Sequence, residues 1–305
     1  MPIVQLENVR KAYENKVAVE GLSLAIEAGT MFGLLGPNGS GKTSSIRMMI
    51  GITLPDSGMV KLFDEPFQRK HLARVGYLPE ERGLYKKMKV LDQIIFLGQL
   101  HGLDSATARR RALGWCERLE ITEAIEKKTE ELSKGMQQKI QFICALLHDP
   151  DLIIMDEPFS GLDPMNAELL LDNLVEQRRQ GKAVLFSTHR MDQVEKLCDS
   201  IALIHQGRLV LSGNMREVKA RYPQNRVQVE FEGDDAFLRH SSVAEVKNYG
   251  GHAEIKLRPE NLDAQPLLAE AVRNGTRIRR FEVSAPTLEE IFIEKVRETK
   301  GQENA

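Results

Sequence analysis

A chain of 305 residues, 42% hydrophobic and 28% charged, with a formal net charge of −2, can bury the core of one large domain and a smaller one. That near-neutral balance supplies no global field toward nucleic acid or anionic lipid, so no nucleic-acid partner is expected. Three scattered cysteines, Cys116, Cys144 and Cys198, exclude a disulfide framework and a zinc site, and no apolar run approaches the ~20 residues a spanning helix needs.

The first residues, MPIVQLENVRKAYENK, lack the basic-then-apolar order of a signal peptide, so no leader is expected. Residues 3–9, 17–26 and 31–35 carry β-branched residues in alternation and are predicted strands. A glycine-rich turn at 36–41 leads into a helix over 42–50, and 60–63 and 75–78 are two further short strands. From 90 to 147 the pattern is helical. Ile140, Ile143, Cys144 and Leu147 recur at i, i+3, i+4 and i+7, and Asp149-Pro150 ends that helix. Three short apolar runs follow, at 152–155, 184–187 and 201–204, separated by helices at 164–180 and 191–198. Short continuous apolar strands alternating with helices indicate a buried parallel sheet.

After residue 220 the texture changes. A strand at 227–231, a short helix at 234–240, strands at 243–248 and 252–258, a helix at 261–274, a strand at 277–283 and a helix at 287–298 give the order βαββαβ plus one helix. That order suggests a small ferredoxin-like domain. Arg277, Arg279 and Arg280 are read as a solvated edge of it.

Gly36-Pro37-Asn38-Gly39-Ser40-Gly41-Lys42-Thr43 fits the phosphate-loop pattern G-x-x-x-x-G-K-[ST] completely. Glycines let backbone N–H groups turn inward around phosphate oxygens. Lys42 can bridge the β- and γ-phosphates of ATP, and the Thr43 hydroxyl can ligate Mg²⁺. The strand 152–155 ends in Asp156-Glu157, at the sheet edge where ligands of open α/β sheets bind. Asp156 is suited to the Mg²⁺ shell, and Glu157 to polarising the attacking water. His189 directly follows the strand 184–188 and can reach a γ-phosphate from the same edge. Taken together, these residues define a P-loop nucleotide hydrolase.

The segments between them identify a subfamily. Leu132-Ser133-Lys134-Gly135-Met136-Gln137-Gln138-Lys139 resembles the signature motif of ATP-binding-cassette (ABC) proteins. Ser160-Gly161-Leu162-Asp163 resembles their D-loop, and Ser187-Thr188-His189 their switch-histidine loop. The resemblance spans residues 3–220. It implies that Tyr13 stacks on adenine, and that Ser133 and Gly135 meet the γ-phosphate bound by a partner's Lys42 in a head-to-tail homodimer. Two departures stand out. Lys134 and Met136 replace the usual glycine and glutamine of the signature, and Glu80 stands where the family's Q-loop has glutamine. A carboxylate there can still reach Mg²⁺.

Pro79-Glu80-Glu81-Arg82-Gly83-Leu84-Tyr85 and Ala285-Pro286-Thr287-Leu288-Glu289-Glu290-Ile291-Phe292 resemble sodium-efflux and related ABC-2-type bacterial exporter ATPases. The expected fold is therefore α/β. A P-loop ABC ATPase domain at 1–220 contains a helical subdomain at 85–147, and a small α+β, ferredoxin-like accessory domain follows at 221–305. The expected function is the ATP-hydrolysing subunit of an exporter. It would sit in the cytoplasm on the inner face of the membrane, held through residues 80–100 by a separate polytopic permease. A soluble, non-transport ABC ATPase acting on ribosomes or DNA is the alternative. The transported substrate is not legible, because the permease selects it.

Overall fold

The computed structural model describes residues 1–14, 16–81 and 83–303. Arg82, quoted above for the exporter resemblance, lies outside the described residues. The chain divides into two compact units, Met1–Gly213 and a second one from Asn214 onward. The division falls a few residues before the position 220 expected from the change in sequence texture.

The first unit runs β1 (Pro2–Tyr13), β2 (Lys16–Glu27), β3 (Met31–Leu35), α1 (Lys42–Met49), β4 (Ser57–Leu62), β5 (Glu65–Pro66) and β6 (Val75–Leu78). It continues through α2 (Val90–Leu100), α3 (Ser105–Arg118), α4 (Lys134–Leu146), β7 (Leu152–Asp156), α5 (Pro164–Arg179), β8 (Ala183–Thr188), α6 (Met191–Leu197), β9 (Ser200–His205) and β10 (Arg208–Asn214). Two sheets result, in the orders β2-β1-β4-β5 and β10-β9-β3-β8-β7-β6. The first is antiparallel. In the second, β9, β3, β8, β7 and β6 pair in parallel. Every residue of β3, β7 and β8 is buried, which is why these strands read as unbroken apolar runs. Val4, Leu6 and Ile26 of the antiparallel sheet share one core with Ile46 and Met49 of α1 and with Leu34, Ile154 and Leu185 of the parallel sheet.

Helix ends follow local chemistry. Asp104, Ser133 and Asp163 cap α3, α4 and α5, each accepting a backbone N–H three residues on. Beyond α4, Asp149 turns with φ 64 and Pro150 blocks continuation.

The second unit contains α7 (Met215–Ala220), β11 (Arg226–Glu232), β12 (Val243–Asn248), β13 (His252–Leu257), α8 (Gln265–Arg273), β14 (Arg277–Ser284) and α9 (Leu288–Glu303). Its sheet order is β12-β13-β11-β14, and every neighbouring pair is antiparallel. That is the split βαβ order of a ferredoxin-like fold. The helix expected at 234–240 is a single 3-10 turn, Ala236–Arg239. The helix expected from 261 starts at Gln265, because Pro266 has no N–H to give and fits the first turn. The reading of the sequence left β10 and α7 unassigned. Arg277 and Arg279 pair with Glu232, and Arg280 with Glu230 and Glu282, so the basic cluster is neutralised along its own strands.

All three cysteines are free and buried. Burial pushes the Cys116 thiol up to about 11 and the Cys144 thiol up to about 12. The helical segment is also tied to the sheet through two imidazoles. His101, capping α2, stacks on His148 with ring centroids 3.9 Å apart and planes 9° from parallel. His148 Nε2 lies 3.1 Å from the carbonyl oxygen of Val75, at the start of β6. Its Nδ1 is buried without a hydrogen-bond partner. Burial, and then the neighbouring His101, pushes His148 down from 6.5 to about 4. Unfolding therefore takes up a proton once the pH falls below the ordinary imidazole range, so His148 lowers stability between pH 6.5 and about 4. The thermal midpoint, measured at pH 7 and pH 5, should fall less in His148→Gln than in the parent chain.

Candidate functional site

Strands β3, β8 and β7 lie side by side and end in register, with Leu35 opposite Thr188 and Asp156 opposite Ser187. Beyond β3 the chain enters the 36–43 loop. Gly36 has φ 151, and a Cβ on it would lie 2.2 Å from the carbonyl oxygen of Ile204. Gly41 has φ 111, and a Cβ there would lie 2.5 Å from the carbonyl oxygen of Ala18 on β2. Glycine is therefore required at both positions by steric exclusion. Pro37, Asn38 and Gly39 form an exposed crest, while Ser40 is buried below it. Ser40 N–H donates to Pro37 O at 3.2 Å, and Gly207 N–H donates to Ser40 O at 2.8 Å, which stitches the loop to the turn after β9.

Lys42 is only 6% exposed. Its ammonium is curled into the loop, donating to Gly36 O at 2.8 Å and Pro37 O at 3.3 Å. Helix α1 begins here with Lys42 and Thr43 and has no acidic residue in its first turn. The positive end of its dipole therefore stays free to meet an anion.

Asp156, at the end of β7, is 1% exposed. Its Oδ1 accepts a short hydrogen bond from the Ser187 hydroxyl, and among the described residues its buried Oδ2 has no hydrogen-bond partner. Glu157 follows with φ 49, a left-handed conformation rare for a side-chain-bearing residue. Its N–H is shared between Ser187 Oγ and Ser187 O, both at 3.2 Å. The Glu157 carboxylate stands 3.7 Å from the Lys42 ammonium and 3.1 Å from His189 Nδ1. Lys42, Glu157 and His189 thus form one row of cation, carboxylate and imidazole beside Asp156. His189 is the open end of that row, with its side chain 53% exposed.

A buried carboxylate oxygen left unpartnered at this sheet edge fits a hard cation. Mg²⁺ takes one or two protein oxygens and completes its shell with phosphate and water.

Ser133 caps α4 by accepting Met136 N–H at 3.3 Å. Gly135 is open: a Cβ there would meet only Leu162 and Asn166, at 3.6 and 3.9 Å. Among the described residues neither makes a hydrogen bond or ion pair with the 36–43 loop. Gln138, 4% exposed, donates to Pro158 O at 3.1 Å and fixes α4 to the turn that follows Glu157.

Tyr13 ends β1, 42% exposed, with the Lys11 ammonium 5.7 Å from its ring centre. Its strand partner is Lys16, two residues before the Ala18 carbonyl that bounds Gly41. Glu80 is exposed at the bend after β6. Among the described residues it makes no hydrogen bond or ion pair with Lys42 or Asp156. The nearby Tyr77 phenol is pushed up to about 12, by burial first, then by the charge of Asp156, with Glu80 and Glu81 adding to it.

Reading the sequence placed Ser187 in the strand 184–187 and in the switch-histidine resemblance, and gave it no role of its own. It also missed the role of Gln93. Gln93 is wholly buried and accepts the Tyr85 N–H at 2.5 Å. That bond pins the backbone while the Tyr85 ring, 54% exposed, meets Phe96 edge-on at 6.0 Å. With Lys86, Lys87 and Met88 they line an apolar groove of about 670 Å³.

Residues 19–160 match the family described as ABC transporter. Residues 213–296 match the C-terminal domain of DrrA1-3-like ATP-binding proteins. An ABC transporter ATP-binding protein of Bacillus subtilis strain 168, YhaQ, is 41% identical, covering 96% of this chain and 98% of that one. The linearmycin resistance ATP-binding protein of the same organism is 33% identical over 95% of this chain and 97% of its own. The Nod factor export ATP-binding protein I of Ralstonia nicotianae is 33% identical over 96% and 93%. Among solved structures, an ATP-binding subunit of an ABC transporter superposes with a TM-score of 0.67 at 28% identity, covering 72% of this chain and 92% of that one. The structure of cbiO1 from Clostridium perfringens, part of the ABC transporter complex cbiONQ, superposes with a TM-score of 0.64 at 28% identity, over 72% and 91%.

The loop geometry separates two of its glycines. Gly36→Ala must displace the Ile204 carbonyl, whereas Gly39→Ala, at φ 75 in open space, meets nothing within 4 Å. ATP affinity, measured with a fluorescent nucleotide, should fall at least about tenfold in Gly36→Ala and less in Gly39→Ala, which carries only backbone strain.

Proposed function

Since the chain belongs to the ATP-binding subunits of ABC transporters, we propose that it hydrolyses ATP at the 36–43 loop, as a homodimer that drives a separate membrane permease in export. The observation that carries this reading is the row Lys42–Glu157–His189 beside Asp156, whose second oxygen has no partner.

Lys42 starts on the Gly36 and Pro37 carbonyls. Phosphate oxygens of ATP offer it stronger, charged acceptors, while loop N–H groups and the start of α1 take the remaining phosphate charge. Thr43 and Asp156 would hold Mg²⁺. When bound, that ion neutralises charge on the β- and γ-phosphates. Glu157 orients the attacking water and accepts hydrogen-bonding from it, and its 3.1 Å contact with His189 fixes the carboxylate's direction. His189, exposed at the open end, can turn its other ring nitrogen toward the γ-phosphate. Tyr13 offers its exposed ring to adenine.

Ser133 and Gly135 complete the site from the second protomer. Ser133 is exposed, and no neighbour within its own chain requires glycine at 135. A small residue at an exposed helix start suits a surface that an anion approaches closely. ATP would then join two copies, and its hydrolysis would release them.

Among the described residues no helix is long and apolar enough to cross a membrane. The permease of this reading is a separate chain, as for an ATP-binding subunit, and Tyr85 and Phe96 form the apolar part of the surface it would grip. Such binding would place the chain on the inner face of the membrane. Relatives named for Nod factor export and linearmycin resistance favour export as the direction. The unit from Asn214 onward is a C-terminal α+β accessory domain whose fold rests on its own core.

Three outcomes test this reading. Glu157→Gln keeps the shape of the side chain but loses its charge. Phosphate release should fall by about a hundredfold or more, while gel filtration with ATP and Mg²⁺ should show long-lived dimers. Normal turnover in that variant removes Glu157 from the mechanism. Lys42→Ala should lose ATP binding or turnover, and undiminished activity would sink the phosphate-loop reading. Affinity purification from mildly solubilised membranes should recover a polytopic membrane protein in near-equal amount, and less of it with Tyr85→Ser. Recovery of soluble partners alone would overturn the transporter role.

A further inference from the structure

Strand β8 is apolar from Ala183 to Phe186, and then a hydroxyl appears at Ser187, wholly buried. The parallel pairing of β7 with β8 is made by backbone groups and does not need that hydroxyl. Valine would favour a strand more strongly at such a position. A buried hydroxyl costs stability unless it is bonded, and this one is bonded twice. It donates to Asp156 Oδ1 and accepts from Glu157 N–H at 3.2 Å.

We propose that Ser187 is a positioning residue for hydrolysis, whose single hydroxyl fixes both carboxylates at the end of β7. It holds Asp156 by one oxygen, which leaves Oδ2 as the presented one. It also holds the N–H of Glu157 in concert with its own carbonyl. Glu157 needs such a hold, because φ 49 is a conformation that a glutamate abandons readily when nothing enforces it. The direction of the hydroxyl proton links the two. Because Asp156 takes the hydrogen, the lone pairs of Ser187 Oγ are left for Glu157. The cation-facing oxygen and the water-facing carboxylate are thereby set by one atom, at the end of the strand that also carries His189.

This inference rests on the ATPase reading above, and the experiment separates the two. Ser187→Val and Ser187→Thr have nearly the same shape and differ in the hydroxyl, while Ser187→Ala avoids any added bulk. Hydrolysis and fluorescent-nucleotide binding are measured across a Mg²⁺ titration. In Val and Ala, turnover should fall about ten- to a hundredfold, the loss expected of a misplaced catalytic group. ATP affinity without Mg²⁺ should stay within about threefold of the parent, and the Mg²⁺ needed for half-maximal tightening of nucleotide binding should rise about tenfold. Thr should recover both properties to within about threefold of the parent, because it restores the bond that positions the group. Equal behaviour of Val and Thr, whether both active or both impaired, overturns the proposal while leaving Glu157-dependent turnover in place. A parent chain without Mg²⁺-dependent ATP turnover overturns both readings.

Discussion

The pairing of β7 with β8 at Asp156 and Ser187 is the contact on which the site depends. Two parallel strands, buried on both faces, must end somewhere, and their last residues face the carboxyl-end crevice where helices cannot cover them. Here the ends coincide. Leu35 of β3 lies opposite Thr188, so the phosphate loop, His189 and the acidic pair emerge from three adjacent strand ends, with β8 in the middle. Neighbouring strands run about 4.8 Å apart. Groups on three adjacent strand ends are therefore brought within contact range by sheet geometry, before any side chain chooses a rotamer.

Electrostatics then selects among the rotamers. An ammonium as deeply buried as Lys42 needs compensation, and it finds two carbonyls and, at 3.7 Å, the Glu157 carboxylate. Glu157 in turn is shared with His189. Without nucleotide the row satisfies itself, and no charge in it is stranded. Phosphate brings negative charge to the place where Lys42 already faces a carboxylate, so binding has to rearrange partners rather than fill an inert cleft. Asp156 is the exception. Among the described residues its buried second oxygen has no hydrogen-bond partner.

Much of this was legible from sequence because the relevant constraints are local. The glycines at 36 and 41 show in the phosphate-loop pattern of eight consecutive residues, and the strands 152–155 and 184–187 are marked by their continuous apolar character. The role of Ser187 was not legible, since its place in the Ser187-Thr188-His189 stretch does not say which groups its hydroxyl meets. Its partners lie 30 and 31 residues away in the chain. The second unit was read correctly in strand order, but its first helix was overestimated. Two aspartates and a short apolar pair, Phe237 and Leu238, suffice for a 3-10 turn that buries both residues, and no longer helix is needed. Glu80 was placed by analogy with a glutamine. It stands at an exposed bend, and its charge and that of Asp156 both act on the Tyr77 phenol.

The departures at Lys134 and Met136 also become intelligible in physical terms. Met136 serves the helix start through its backbone N–H, which any residue but proline supplies. Its side chain is therefore free to vary without loss of the Ser133 cap. Lys134 is exposed, so its bulk collides with nothing in its own chain. Within the chain itself, what α4 needs at this start is the Ser133 hydroxyl that caps it. Gln138, one turn further on, fastens that helix to the turn after Glu157. A displacement at the exposed start of α4 therefore has a direct mechanical route to the carboxylate beside Lys42, through a buried amide and a single carbonyl.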